Sequence, residues 1–413
     1  MKIIIKASLL SIVVMLFVSS NAFATNGMRM IGFGPVQNSM GGVSVGLPLD
    51  GAAILTNPAG MSVMSGRIDF GASYFNPSVQ YKATESAGMG GSVINYDGAT
   101  IDSDRGGSPV PAFGLIIPLS EKFRFGIGAY GVAGMGVDYP RNLYGGVTYT
   151  SYSQMRFAPG LSYKINDMVS VGAAVNIMYA TMEFNTASGF GQQPHMGASS
   201  FGYGATIGVL VKPIDILQIG LAYETKSYFQ DFAFNTNAGV DKLEFNQPQT
   251  ATIGLGIKPI KDLLFGFDVQ WIRWSETNGL NLPKYSANAS SAMAWNMDWS
   301  DQFVYKVGAQ YTVTPMIVLR AGYNYGKMPL NGDRAFENIA FPAVSEHHFT
   351  AGIGINLTKQ FTLNIGGMYS PQAKLSGSNS GSPMPPTPTG QGISSYETSM
   401  SQYSIDMGIT YIF

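Results

Sequence analysis

The side chains able to do chemistry are few, and their spacing argues for binding rather than catalysis. The histidines are His195, His347 and His348, and the chain holds no cysteine. Metal sites draw on clustered His, Cys and carboxylate ligands, and these histidines lack that spacing, so neither a metal nor a cofactor is expected. A Ser–His–Asp site needs its members on one rim. Ser345 and Glu346 adjoin His347, but nothing in the pattern aims them at it. The chain is therefore not expected to be an enzyme. What remains is single cations at Arg124, Lys306 and Arg320, suited to an anionic group or to carboxylates such as Asp268. Aromatics at Phe33, Phe229, Phe232, Phe234 and Phe245 suit an apolar ligand, and exposed aromatics gathered in a loop mark a binding surface.

The elements that must carry these residues are strands. From Tyr403 to Phe413 the odd positions are Tyr, Ile, Met, Ile, Tyr and Phe, while the even ones are mostly small or polar. A period of two puts successive side chains on opposite faces. A strand of about ten residues, apolar on one face only, has the length of a tilted membrane-spanning strand. Six short polar links recur between such segments, at 118–122, 164–167, 212–215, 258–262, 312–315 and 356–360. Longer Gly-, Ser- and Asn-rich stretches separate them, at 80–109, 132–148, 185–198, 227–247, 275–301, 326–346 and 370–401. Short and long connections alternate as in outer-membrane barrels. With unpaired strands at Ile68–Val79 and Gln402–Phe413, the count comes to about fourteen. The fold expected is all-β: a transmembrane antiparallel β-barrel with both termini periplasmic. In this register Arg124, Lys306, Arg320 and His348 face the lumen and His347 faces lipid. So do the polar lumen positions Asn176, Glu224, Gln270 and Asn364 face inward.

Composition agrees with that class. Charged residues make up 12% of the chain, half the usual globular share, and glycines number 51. Net charge is −1 without a basic stripe, so nucleic acid is not an expected partner. Lys2 and Lys6, an apolar run from Ala7 to Val18 and Ala22-Phe23-Ala24 make residues 1–24 a secretory signal. No long apolar run follows, which excludes a helical membrane protein. Residues 25–64 are small, apolar and poor in charge, and about forty residues cannot bury a core alone. Their expected place is inside a barrel of residues 65–413, as a hatch that plugs the lumen.

The chain resembles the FadL/TodX family of outer-membrane transporters for hydrophobic molecules. The resemblance rests on Gly34, Gly41 and Gly42 ahead of Asp50 to Gly60, on Asn57-Pro58-Ala59, and on the order of later motifs: Trp271-Ile-Arg-Trp274, Trp299-Ser-Asp301, Leu319-Arg-Ala-Gly-Tyr323 and Phe341-Pro-Ala-Val-Ser345. It implies that Asn57, Pro58 and Ala59 end the hatch. It also implies that a hydrophobic ligand captured outside leaves sideways through a gap at a kinked third strand, here at Gly131, Gly134 and Gly136. The basic ligand contacts of the fatty-acid members are not matched at Tyr179-Ala180-Thr181 or near Ser300. Implied partners are the hydrophobic ligand, outer-membrane lipid and lipopolysaccharide, and an insertion machinery that reads the strand ending at Phe413. A monomer is expected. A diffusion porin for polar solutes, or a receptor or adhesin role for the long loops, stays open at this point.

Overall fold

The protein is described by a computed structural model over residues 26–85, 97–140, 148–185, 196–236, 239–277, 297–335, 338–377 and 393–413. The signal segment 1–24 and His195 lie outside the described residues. Fourteen strands pair in sequence order: β1 (Arg67–Glu85), β2 (Ser108–Pro118), β3 (Phe123–Tyr139), β4 (Thr148–Lys164), β5 (Val169–Asn185), β6 (Met196–Ile214), β7 (Leu217–Glu224), β8 (Thr250–Ile260), β9 (Leu263–Ile272), β10 (Gln302–Thr312), β11 (Ile317–Gly326), β12 (His347–Asn356), β13 (Phe361–Gly377) and β14 (Ile393–Ile412). Arg67 pairs with Ile412 and the register runs up to Ile393, so β14 closes on β1. This closure removes the two end edges of the sheet, so the backbone groups of β1 and β14 are paired within the wall.

The alternation is realised as expected. Tyr403, Ile405, Met407 and Ile409 are exposed on the outer face, while Gln402, Ser404, Asp406 and Thr410 are buried on the inner one. The short links are tight polar turns. Asn166 Oδ1 accepts the Met168 and Val169 amides, and Lys164 and Lys212 hold Asp167 and Asp215 at 2.7 and 2.8 Å. Those lysine hydrogen bonds keep both turn carboxyls below the usual range.

The strands run further than the alternation suggests. β1 has 19 residues and β14 has 20, well past Val79 and before Gln402. The upper half of β3 is covered on both faces, so its period of two fades: every residue from Tyr130 to Val137 is buried. Stretches read as long loops also hold structure. Asp97–Asp102 pairs with β1, Phe232–Thr236 pairs with Gly239–Leu243, and residues 338–344 fold inward with Thr150 Oγ1 donating to Ala340 O.

Residues 26–66 form no strand of the barrel, although Arg29 bridges Ala133 on β3, and they are mostly buried against the wall's inner face. A short helix, Gly34–Ser39, contacts β1, β2 and β11 to β14, and a 3-10 helix, Pro58–Val63, contacts β3 to β6. Wall glycines permit this closeness. A Cβ on Gly220 would fall on the Val45 carbonyl, one on Gly172 on the Pro58–Ala59 peptide, and one on Gly322 on the Met40–Gly41 peptide. The described ends lie apart: Gly27 sits under Trp274 and Trp299 at the long-connection end, whereas Phe413 donates its amide to Gly66 O at the short-turn end. Arg67 and Ile412, the ends of the barrel, thus lie together at the short-turn end, and the first described residues of the N-terminal segment lie at the other.

Gly220→Val leaves β7 pairing intact but presses on Val45. Overpacking of this kind costs about 1–3 kcal/mol. Urea unfolding should show that loss while heat-modifiable migration stays normal, and an unchanged midpoint would mean the contact is slack.

Candidate functional site in the barrel interior

The wall is interrupted at the third strand. β2 and β3 pair from Pro118↔Arg124 up to Ala112↔Tyr130 and no further, yet β3 continues to Tyr139 along β4. Above Tyr130 the strand bulges between Gly131 and Ala133. At the top the gap is closed by residues 103–104, where the Asp104 amide donates to Asp138 O at 2.7 Å. Between these points the edge of β3 is paired by the N-terminal segment: Met30 N donates to Val132 O and Gly134 N donates to Met28 O, both at 3.0 Å. The predicted kink glycines lie on this stretch. Val110 packs against Gly131, and a Cβ on Gly136 would run into the Thr150 carbonyl.

The same N-terminal residues reach across the interior to a buried charge cluster. Arg29 donates to both oxygens of Glu224 at 3.3 and 2.6 Å, and Arg156 on β4 donates to Glu224 Oε1 from the other side. Two arginines thus share one carboxylate away from water. Nε and Nη1 of Arg156 meet no acceptor among the described residues. Beside the cluster lies a small cavity of about 30 Å³. Thr206, Thr250, Thr252, Gln270, Glu224 and Lys306 form its polar wall, and Met30, Ile31, Phe33, Val45 and Leu55 its apolar side. Above it an aromatic layer continues: Tyr152 packs on Phe245 at 5.1 Å, Phe245 on Phe232 at 6.4 Å, and Phe232 on Phe229 at 6.1 Å.

Wall carboxylates hold the N-terminal segment by its backbone. Asp268 accepts the Ser44 and Val45 amides at 2.8 and 3.1 Å, Asp69 accepts the Gly51 amide at 2.7 Å, and Asp406 accepts Asn38 Nδ2 at 3.0 Å. Gly34, Gly41 and Gly42 all have positive φ, and a Cβ on Gly42 would overlap the Ile31 carbonyl, so that turn requires glycine. Asn57 Oδ1 accepts the Ala59 amide and its Nδ2 donates to Val45 O and Val209 O, tying the Asn57-Pro58-Ala59 turn to both segment and wall. Within the segment, burial first and then the Asp69 carboxylate push Asp50 up to about 7, and Gln37 donates to it.

Several sequence expectations are relocated. Arg124 sits at the short-turn end bonded to the carbonyls of Ser120, Phe123 and Met64, because the β2–β3 turn presents free carbonyls within its reach, so it is not a cavity residue. Arg320 bonds Gln310 and Asn364, and Lys306 faces Asp268 across β9–β10 while donating to Ile31 O. Of the three cations, only Lys306 borders the cavity. Phe229, Phe232 and Phe234 form no exposed groove. They are buried, because the loop that carries them folds inward over Tyr152. Phe33 borders the cavity and packs near Tyr130. Arg29, Arg156 and their junction on Glu224 escaped notice. Inward register was readable for Arg156 and Glu224, but nothing local reveals that residues 195 and 68 positions apart meet.

A closed fourteen-strand barrel with an exposed apolar outer face and a filled polar inner one is the build of an outer-membrane β-barrel protein. The chain matches the family described as outer membrane protein transport protein (OMPP1/FadL/TodX) over residues 11–413, and it belongs to that family, whose members are transport channels for hydrophobic compounds and not enzymes. It is 22% identical to outer membrane protein P1 of Haemophilus influenzae, covering 77% of this chain and 80% of that one. Its fold is similar to the toluene transporter TodX of Pseudomonas putida (TM-score 0.71, 17% identity, 93% of this chain and 99% of that one). It is also similar to a FadL homologue of Pseudomonas aeruginosa (TM-score 0.74, 16% identity, 94% and 100%).

Glu224→Gln strands two buried guanidinium groups. Breaking a buried pair costs about 3–5 kcal/mol, whereas apolar replacement of the whole cluster is often neutral. Glu224→Gln should lose that much in denaturant unfolding, and Glu224→Gln with Arg29→Met and Arg156→Leu should recover most of it. Equal losses in both would show that shape rather than charge matters here.

Proposed function

We propose that the chain takes up hydrophobic small molecules, holds them in the barrel interior beneath the inward-folded loops, and releases them sideways through the interruption between β2 and β3. Residues 26–64 act as the hatch, with the start of the barrel and its end at the periplasmic side. The observation that carries this reading is the one-sided pairing of β3 above Tyr130, with the edge capped, below the contact at residues 103–104, by Met28 to Met30 among the described residues. A cap of two hydrogen bonds is lighter than the ladders elsewhere in the wall, so the edge is where the barrel yields with least cost.

The lateral route suits such a ligand. Each CH₂ kept out of water is worth about 0.8 kcal/mol, which release into the periplasm would forfeit and release into the bilayer retains. The unsatisfied Nε and Nη1 of Arg156 support a ligand with one polar end, since a buried guanidinium gains from a further acceptor. A polar-solute porin is disfavoured by the interior, which is occupied by buried Met, Phe, Trp and Tyr side chains.

Filling the interruption tests the route. Gly131→Val with Gly134→Val adds bulk against Val110 and favours a regular ladder. The folded double variant should bind a hydrophobic substrate as before, yet import it no faster than an empty-vector strain. Undiminished import would place the exit elsewhere, and liposome swelling with sugars would restore the porin reading.

A further inference from the structure

On the outer wall, away from the interior site, five consecutive barrel strands, β6 to β10, carry a depression of about 440 Å³. One row of outward residues crosses it in register: Ile207, Tyr223, Ala251, Trp271 and Phe303. Leu221, Ile253 and Val269 form the row below. Ala251 is the floor, a methyl between two aromatics on the neighbouring strands, and apart from Gly208 and Thr252 the lining is aliphatic or aromatic. The upper row lies one residue from the ends of β7, β8, β9 and β10 on the long-connection side. That is the level of the headgroup boundary, where Trp and Tyr collect with their polar atoms toward water.

Those polar atoms are engaged as that level demands. Tyr223 OH donates to Gln249 at 2.6 Å and Trp271 Nε1 donates to Asp301 at 3.2 Å. Two cations stand just above. Arg273 lies 5.8 Å over the Trp271 ring, and Lys226 Nζ donates to the Glu276 carbonyl at 3.0 Å. Two carboxylates offset them: Asp301 is spent on Ser275 and Trp271, and Glu276 pairs with Arg273. The Glu276 side chain is 58% exposed, so that ion pair is weak in water and yields to a better acceptor. A phosphate monoester is such an acceptor, taking two parallel N–H bonds from a guanidinium.

We infer that this groove is a lipid site: it seats one acyl chain of a phosphorylated outer-leaflet glycolipid of the lipid A type over Ala251, with a phosphate at Arg273 and Lys226. The aromatics on either side of Ala251 leave room for a chain rather than a flat protein face. The two cations sit at the depth a phosphate attached to that chain would occupy. The site does not depend on the transport route.

The test uses the purified full-length protein in detergent, titrated by native mass spectrometry with bis-phosphorylated lipid A and, separately, with its dephosphorylated form. The wild-type protein should retain one lipid A tightly. Ala251→Trp, checked for heat-modifiable folding, should weaken both probes about tenfold or more, and Ala251→Leu serves if the larger change misfolds. Arg273→Ala with Lys226→Ala should weaken only the phosphorylated probe, and Glu276→Gln should tighten it by releasing Arg273. The inference is overturned if filling the groove changes neither probe, if the cation variants weaken both alike, or if Ala251→Trp instead abolishes a dimer, which would assign the groove to a second copy of the chain.

Discussion

A barrel of fourteen strands encloses more space than its own inward side chains fill, and every other feature depends on how backbone from residues 26–66 fits into it. The fit is backbone against backbone. Glycines at 172, 220 and 322 let the segment touch the wall where any Cβ would collide. Carboxylates from Asp69 and Asp268 then take its amides. Such amides have no secondary-structure partner, and left unpaired in a buried setting each would cost about 1–3 kcal/mol. The wall thus supplies by side chain the hydrogen bonds that the irregular segment cannot make with itself.

That requirement explains why the interior is both apolar and charged. Arg29 enters with the segment and needs a counter-charge at depth, which Glu224 provides, and Arg156 shares the same carboxylate. The cluster ties the segment to β4 and β7 while Met28 and Met30 tie it to β3. The three residues Met28 to Met30 therefore close the interrupted wall, fix a buried ionic junction and border the cavity. Moving them would change all three features together.

Legibility in the sequence followed the same physics. Strand existence, turn positions and facing were readable wherever one face meets lipid and the other meets the interior, as at Tyr403 to Thr410, because burial differs between the faces. Strand length was not readable above Tyr130, where both faces are buried and the pattern carries no period. The aromatic residues at 229, 232 and 234 were visible as a cluster, but whether a loop turns outward or folds onto Tyr152 is a tertiary matter that no local spacing encodes. The cations divided for a similar reason. Alternation gives the side on which Arg124, Lys306 and Arg320 lie but not the height, and height separates a turn residue from a cavity residue.

Height also orders the function. At the short-turn end the N-terminal segment is pinned by Asn57 to Val209 on β6 and followed directly by β1, so that end has little freedom. At the other end its first residues hold β3 by a pair of hydrogen bonds and β7 by a salt bridge. Stability along one element is rarely uniform, and the end with fewer bonds opens first. For residues 26–33 that end adjoins the cavity and the interrupted wall at once. In the proposed release, a ligand that displaces Met28 to Met30 from β3 would exchange two backbone bonds and the Arg29–Glu224 pair for an open strand edge, without unseating the glycine-lined contacts below.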